Sequence, residues 1–221
     1  MKKQATRYLV KGISFLILFA LWTIAVRLVD VQPIGPQGSE VGFAALNGWF
    51  HNLTGVHMQL YVITDWLSLV PLAVVVIFGL LGLFQWIKRK SILKVDGSIL
   101  ALGIFYVATM GAFLLFEKVV VNFRPVLIDG VLEASYPSST TLLVMCVMPA
   151  AMMQLCDRMK NQVLRRWLFI LIGAFTAFMV LGRVLSGVHW LTDIVGGMLL
   201  SGGLIMMYQF LQNFLGGYTH E

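Results

Sequence analysis

Six long apolar runs divide this chain, and they restrict its fold more than any other feature of the sequence. They lie near 10–30, 62–87, 97–117, 138–157, 166–186 and 190–212. Each is close to the roughly 20 residues that an α-helix needs to cross about 30 Å of hydrocarbon. Because backbone polar groups cannot be left unpaired in lipid, uninterrupted runs of this length must be helical. We therefore predict an all-α integral membrane six-helix bundle in which residues 1–221 form a single domain.

Composition agrees with lipid as the solvent for most of the chain. Apolar residues make up 59% of the sequence and charged residues only 12%, a balance that a water-facing globular surface does not carry. The 16 Lys and Arg residues outnumber the 10 Asp and Glu residues, but they lie in short clusters between the apolar runs, where basic residues set membrane orientation. We therefore expect membrane lipids, and not nucleic acid, as partners.

Three basic clusters predict how the bundle sits in the membrane. They are the N-terminal residues up to Lys11, the cluster at 88–94 and the cluster at 158–166. An even number of spans separates each from the next, so all three belong in the cytoplasm. We expect a multi-pass cell-membrane protein with both termini in the cytoplasm and with the loops 31–61, 118–137 and 187–189 on the outer face. The first run follows a basic start like that of a signal peptide, but its length and the lack of a small-residue cleavage site favour an uncleaved anchor.

The predicted outer loops hold residues suited to nucleophilic catalysis. His189 and Asp193 are four residues apart, which places them on one face of a helix. A carboxylate in that position fixes the imidazole tautomer and stabilises the cation that forms when the ring attacks. Arg183 ends the preceding span, and the turn-forming pair Ser186-Gly187 folds it back beside the histidine. We predict that His189 and Asp193 are catalytic.

A second group of residues in the same region is typical of an anion site. Two arginine side chains hold phosphate oxygens through paired N–H groups. Hydroxyl groups and the first free backbone N–H groups of the fourth span complete such a site. The predicted phosphate-binding residues are Arg124, Arg183, Ser138, Ser139, Lys118 and Thr140.

Each of these groups also has a structural interpretation. A His–Asp pair can stabilise a bundle, an interfacial arginine can extend toward water, and Pro137-Ser138 can simply start a helix. Three independent features on one membrane face favour a site, because ionisable groups at membrane depth are costly and usually functional. Cys146 and Cys156 lie about 15 Å apart along one helix, too far for a disulfide. We expect neither a metal ion nor another cofactor.

This arrangement resembles the type 2 phosphatidic acid phosphatase (PAP2) superfamily, whose members carry the motifs Lys-x6-Arg-Pro, Pro-Ser-Gly-His and Ser-Arg-x5-His-x3-Asp. The third motif is present as Gly182-Arg183-Val-Leu-Ser-Gly-Val-His189-Trp-Leu-Thr-Asp193, with Gly in place of the leading Ser. The resemblance implies a PAP2-like bundle that hydrolyses lipid phosphates at the outer membrane face. It also implies that His189 forms a phosphohistidine, that Asp193 orients it, and that Arg124 and Arg183 bind the phosphate.

Two positions depart from the family pattern. Lys118 precedes Arg124 by six residues instead of seven, so Glu117 occupies the position of the motif lysine. On a helix the side chains of Glu117 and Lys118 point about 100° apart. The second motif reads Pro137-Ser-Ser-Thr140, and threonine cannot supply the proton that the family histidine gives to the leaving group. Loss of a positioned acid costs about 10²- to 10⁴-fold in rate when the leaving group needs a proton.

The leaving group decides how much this loss matters. An alkoxide is about as basic as hydroxide, whose conjugate acid has a pKa of about 15.7, whereas the phosphate expelled from a diphosphate has a second pKa of about 6. We therefore predict a preference for a polyprenyl (undecaprenyl-type) diphosphate of envelope synthesis over a phosphatidate. In an alternative hypothesis, His51 or His57 of the outer loop supplies the proton.

Two other functions fit the same residues. A catalytically degenerate protein of this type would bind a lipid phosphate without hydrolysing it, and a phosphotransferase would pass the phosphoryl group to an acceptor other than water. A vanadate-dependent haloperoxidase is disfavoured because the chain is almost all membrane spans. A transporter is disfavoured because the charged residues gather at the ends of the spans.

Overall fold

Eight α-helices form the part of the chain that the computed structural model describes, residues 2–216. They are α1 (Lys2–Leu28), α2 (Ala44–Thr54), α3 (Met58–Leu67), α4 (Leu69–Arg89), α5 (Gly97–Lys118), α6 (Ser139–Arg158), α7 (Gln162–Leu185) and α8 (Leu191–Gly216). Six apolar segments, with α3 and α4 taken together, are long enough to cross a membrane. The predicted all-α fold with six spans is therefore confirmed.

The helix ends differ from the ends of the apolar runs. α1 begins at Lys2 and not near residue 10, because the polar residues before the apolar run continue the helix. The second span is interrupted at Ser68, which separates α3 from α4. α7 begins at Gln162, since the side chain of Asn161 accepts hydrogen bonds from two backbone N–H groups of its first turn. Capping residues and polar flanks, which hydropathy alone does not weigh, account for these differences.

The centre of the bundle is α8, which packs against α1, α5 and α6. Small residues let α1 approach closely: a Cβ atom on Gly203 would lie 2.7 Å from the side chain of Leu16. The largest buried cluster joins these helices and includes Phe19, Tyr136 and Tyr208. This packing holds the first residues of α8, where the candidate site lies, in a fixed position.

Large apolar side chains cover the outside of the bundle. Val107 on α5 and Trp167 and Leu171 on α7 are all well exposed. Water-soluble monomers rarely expose contiguous apolar patches on this scale, whereas lipid surrounds such side chains with an apolar medium. The chain is therefore a multi-pass membrane protein.

Three loops meet at one end of the bundle, which we call the His189 end. The loop between α5 and α6 folds back on itself, so that the Arg124 N–H donates to the Glu133 carbonyl at 3.0 Å. The turn between α7 and α8 accepts a hydrogen bond from the backbone N–H of His57 at 2.9 Å. In that turn Gly187 has a φ of +67°, and a Cβ there would lie 2.0 Å from a backbone carbonyl oxygen of the α2–α3 turn. Glycine is therefore required at this crossing of two turns.

Candidate active site

The His189 side chain lies just before α8 and is held there by its neighbours. The indole N–H of Trp190 donates to the Phe123 carbonyl at 2.7 Å. The backbone N–H of Trp190 donates to Asp193 Oδ2 at 3.0 Å. Asp193 thus satisfies a free N–H at the start of α8, where a carboxylate is favoured. His189 itself is only 4% exposed, so its chemistry takes place away from bulk water.

An arginine contacts one nitrogen of His189 and a carboxylate faces the other. Nε2 accepts a hydrogen bond from Arg124 Nη1 at 3.1 Å, and Nδ1 lies 3.6 Å from Asp193 Oδ2. Because an accepting Nε2 carries a lone pair, the ring proton resides on Nδ1. Burial lowers the pKa of His189 to about 4, with Arg124 acting in the same direction and Asp193 opposing it. The imidazole is therefore neutral at neutral pH, the form in which a ring nitrogen keeps a lone pair for nucleophilic attack.

A buried amide network fixes Asp193. Asn122 donates to Asp193 Oδ1 at 3.2 Å. Asn47 donates to Thr192 Oγ1 at 2.9 Å and accepts from the Thr192 N–H at 3.3 Å. Both asparagines are 1% exposed. Since buried polar groups are costly to leave unpaired, these bonds restrict the carboxylate to the orientation in which it faces His189.

Arg124 reaches His189 from the loop between α5 and α6. Its Nε donates to Glu133 Oε2 at 2.9 Å, and its Nη1 also donates to the Val188 carbonyl at 3.4 Å. The side chain is 11% exposed. The structure thus places this predicted phosphate ligand beside the predicted nucleophile His189, with one edge of its guanidinium held by Glu133.

Arg183, near the end of α7, lies in the same region. Its Nη2 donates to Asp65 Oδ1 at 2.8 Å and to Thr140 Oγ1 at 2.6 Å. The Tyr61 ring faces both arginines, with its centroid 4.8 Å from Arg183 Cζ and 5.8 Å from Arg124 Cζ. Nε and Nη1 of Arg183 are buried and have no hydrogen-bond partner among the described residues. Such donors are rare in folded proteins, and a phosphate oxygen is the acceptor that an arginine fork suits best.

The hydroxyl groups at the start of α6 have different surroundings. Ser138 is buried and caps the helix, accepting from the Thr141 N–H at 3.5 Å and from the Thr141 hydroxyl at 3.1 Å. Ser139 lines the cavity beside His189. Thr140 faces Arg183 and does not line that cavity. Ser139 is therefore the member of this group that a molecule in the cavity would contact.

The cavity beside His189 has a volume of about 370 Å³. Its polar lining comes from Glu117, Arg124, Glu133, Ser135, Tyr136, Ser139 and His189. Lys118, the next residue after Glu117, is exposed and does not line it. The structure therefore brings Glu117, and not the predicted ligand Lys118, to the candidate phosphate site, as expected from the rotation of about 100° between successive helical residues.

A second cavity of about 360 Å³ lies between α4, α5 and α6. It shares Phe113, Ser139 and Leu142 with the cavity beside His189. The rest of its lining is mostly apolar and includes Leu72 and Val147. The polar cavity thus adjoins an apolar space among the spans.

His51 and His57 lie outside the cavity beside His189. His57 is exposed, and its Nε2 lies 2.9 Å from the Thr54 carbonyl oxygen. His51 packs near Trp190 with ring centroids 5.5 Å apart, and burial lowers its pKa. The structure does not place either histidine where it could protonate a leaving group at His189. Among the described residues, no three His, Cys, Asp or Glu side chains are grouped to hold a metal ion.

Comparisons with known proteins find similarity to one family model and to one solved fold. The family model of the PAP2 superfamily matches residues 114–215, which include every predicted site residue. The chain is similar to a solved structure described as the first transmembrane PAP2 type phosphatidylglycerolphosphate phosphatase from Bacillus subtilis. The two are 17% identical, with a TM-score of 0.55, over 95% of this chain and 96% of the other. No curated protein matches the chain.

Proposed function

We propose that this protein is a membrane lipid phosphatase whose nucleophile is His189. Support comes from the match of residues 114–215 to the PAP2 superfamily model and from the fold that the chain shares with a transmembrane PAP2 phosphatase. The observation that carries the proposal is the neutral, buried imidazole with Arg124 at Nε2 and Asp193 facing Nδ1. We propose further that the eight helices serve this site as a single domain.

The first half of the proposed reaction transfers the phosphoryl group to His189. A phosphate oxygen offers Arg124 a charge-assisted bond, which is stronger than its bond to a neutral nitrogen, and this exchange frees Nε2. The unpaired Nε and Nη1 of Arg183 offer further donors. Nε2 then attacks phosphorus, and the P–N bond forms as the P–O bond to the leaving group breaks. Asp193, facing the Nδ1 proton, stabilises the imidazolium that results.

In the second half, water attacks the phosphohistidine. The P–N bond breaks, inorganic phosphate is released, and the imidazole returns to its neutral form. Arg124 and Arg183 remain on the phosphate oxygens through both halves, where fixed donors stabilise the charge of the transition state.

The substrate that suits this site best is a polyprenyl (undecaprenyl-type) diphosphate. Thr140 occupies the position of the proton-donating histidine, and its hydroxyl is bonded to Arg183. A diphosphate expels a phosphate, which needs little protonation, because its second pKa is about 6. The apolar cavity between α4, α5 and α6 adjoins the His189 cavity, which suits a substrate whose polar head continues into a long hydrocarbon chain.

We place the site on the outer face of the cell membrane, with both termini in the cytoplasm. The basic clusters at 88–94 and 158–166 support this orientation through the positive-inside rule, and they lie at the opposite ends of the spans from His189. A cysteine introduced at Asp129, in the loop that carries Arg124, should react with a membrane-impermeant maleimide added to intact cells. If labelling required cell lysis, the site would lie on the cytoplasmic face and the proposed orientation would be wrong.

Phosphate release from purified protein in detergent tests the function. Polyprenyl diphosphate, phosphatidate and phosphatidylglycerolphosphate are compared, with His189→Ala as the blank. We expect release that depends on His189 and is fastest with the diphosphate. A clear preference for phosphatidate would refute the substrate assignment. If neither wild type nor His189→Ala released phosphate, catalysis would be refuted.

A non-catalytic role is the second candidate, favoured by the acidic Glu117 in the register of the motif lysine and by Thr140. Such a protein would bind a lipid phosphate and leave it intact. A phosphotransferase is the third, because a phosphohistidine can be discharged to another acceptor. Radiolabelled phosphate recovered on a second lipid, and not as inorganic phosphate, would identify a transferase.

A further inference from the structure

Hydrolysis of a phosphohistidine needs a group that accepts a proton from the attacking water. General bases in enzymes contribute about 10²- to 10⁴-fold to the rate. Thr140 has no basic nitrogen, and its hydroxyl is bonded to buried Arg183 at 2.6 Å. The position that holds a histidine in the motif therefore cannot supply this base, and another side chain at the cavity must do so.

The cavity beside His189 restricts the choice to a few groups. Its described lining contains Glu117, Glu133 and Tyr136 as proton acceptors besides His189 itself. Glu133 is held by Arg124 Nε at 2.9 Å. The Tyr136 hydroxyl lies 2.7 Å from the Thr23 hydroxyl, and burial raises the pKa of this phenol, so it keeps its proton.

Glu117 differs from these neighbours because its carboxylate is free. It has neither an ion pair nor a hydrogen bond with any residue in the described range 2–216, yet it lines the cavity that contains His189. It lies in the last turn of α5 and is exposed. Glu117 and His189 thus line one cavity, in which an attacking water would lie between them.

We infer that Glu117 is the general base that activates water for hydrolysis of the phosphohistidine. This inference rests on the proposed function and concerns its second half. One water O–H bond breaks and its proton goes to the Glu117 carboxylate, while the water oxygen forms a bond to phosphorus. The P–N bond to His189 breaks, and its electron pair returns to Nε2. Glu117 then returns the proton to solvent or to the released phosphate.

This assignment explains both departures from the family pattern together. Replacement of the motif histidine by Thr140 removes a proton carrier from the site. Replacement of the motif lysine by Glu117 adds one to the same cavity. A diphosphate substrate requires no acid in the first half, so a base for the second half is the one proton-transferring group that this site still needs.

The test is to separate phosphoenzyme formation from its discharge in Glu117→Gln. A polyprenyl diphosphate with ³²P in its terminal phosphate is mixed with purified protein, and both lipid monophosphate and protein-bound label are measured over time. We expect steady turnover to fall about 10²- to 10⁴-fold, while one equivalent of lipid monophosphate still appears in an initial burst. The label should stay on the protein in an alkali-stable, acid-labile form, as a phosphohistidine does.

Two further variants make the result specific. Glu117→Ala should regain phosphate release when formate is added, because a small carboxylate can take the vacant place. Asp129→Asn is a matched control, since Asp129 is exposed in the loop after α5 and does not line the cavity; it should behave as wild type. Both the burst size per active site and the ratio of burst rate to steady rate are independent of how much of the protein has folded.

The possible outcomes distinguish this inference from the proposed function. Wild-type turnover by Glu117→Gln, an equal loss of burst and discharge, or label that accumulates on Glu133→Gln instead would each overturn the role of Glu117 while leaving the phosphatase in place. If wild-type protein neither takes up label nor releases phosphate, the proposed function fails and this inference fails with it.

Discussion

Charged side chains gather at both ends of the bundle, but their surroundings differ. At the end that we call the Arg89 end, Asp96 accepts hydrogen bonds from Arg89 and from Gln85, each at 2.8 Å, and the side chains of Arg89 and Asp96 are both 40% exposed. At the His189 end, the side chains of Arg183 and His189 are both 2% exposed. Each keeps at least one nitrogen without a hydrogen-bond partner among the described residues.

The pKa values of two groups show the same contrast. Burial raises the pKa of Asp96, but hydrogen bonds from Arg89 and Gln85, together with the charges of Arg89 and Arg158, outweigh it and leave the pKa lowered. The pKa of His189 is lowered mainly because burial disfavours its charged form. Asp96 is therefore stabilised as an ion by its partners, whereas His189 is kept neutral by the lack of water. Exposed ion pairs contribute little, while buried donors without acceptors are costly, so, among the residues that the structure describes, the His189 end has more features of a ligand site than the Arg89 end.

Removal of the nucleophile should give the largest difference between the two ends. His189→Ala should lower kcat by about 10⁴- to 10⁶-fold, the scale on which nucleophile loss acts in other hydrolases. Arg89→Ala should change it less than about twofold, because exposed salt bridges are weak. Phosphate release from the two purified variants measures this; similar losses in both would mean that the difference in burial has no functional meaning.

Replacement of the buried Arg183 by lysine should have the next largest effect on activity. Arg183→Lys keeps the charge but loses the planar fork, so kcat/KM should fall about 10²- to 10³-fold, as for loss of one transition-state donor. Arg89→Lys is the matched change at the other end and should be near neutral. An Arg183→Lys enzyme with wild-type kcat/KM would show that the unpaired Nε and Nη1 do not bind phosphate.

Disruption of the network behind Asp193 should have a smaller effect. Asn122→Ala removes a hydrogen bond to a buried carboxylate, which is worth about 1.5–3 kcal/mol, and activity should fall about 10- to 100-fold. Gln85→Ala removes the corresponding amide at the Arg89 end and should leave activity unchanged. Melting curves of both variants distinguish loss of fold from loss of orientation, and an inactive Gln85→Ala would contradict the assignment.

The pKa of His189 should show the effect of burial most directly, although its effect on stability is the smallest of those predicted here. ¹³C-histidine NMR of wild type and His189→Ala assigns its signal, which should remain that of neutral imidazole as the pH falls below 6.5 and change only near 4. Because the unfolded chain takes up this proton at higher pH than the folded protein, the contribution of His189 to stability should decline as the pH falls from 6.5 toward 4. A midpoint near 6.5 would mean that water reaches the ring.

The sequence predicts those site residues that lie close to one another along the chain. His189 and Asp193 are one helical turn apart, and Arg183 is a short turn away, so helix geometry alone brings them together. Asn122 lies only two residues before Arg124, and a polar residue so close to a predicted ligand was a usable signal. Glu133 lies in the same loop, but nothing in its spacing indicates that it pairs with Arg124.

Other site residues have no signal in the sequence. Asp65 contacts Arg183 across 118 positions of the chain, and Tyr61 faces both arginines only because α3 packs against α7. Lys118 is a predicted phosphate ligand, yet Glu117, one residue away around α5, lines the cavity instead. Such relations depend on how helices pack, which single-sequence periodicity does not contain.

From the amino-acid sequence follow the lipid surroundings, the helical fold class and the candidate residues Arg183, His189 and Asp193. Apolar runs long enough for a membrane require helices, and the spacing of Arg183, His189 and Asp193 follows from one turn and one helical repeat. Tertiary structure alone decided that His189 is neutral, that Glu133 and Asp65 hold the two arginines, and that Glu117 lines the cavity. Protonation and partner choice depend on burial and on contacts between distant segments, and these exist only once the helices have packed.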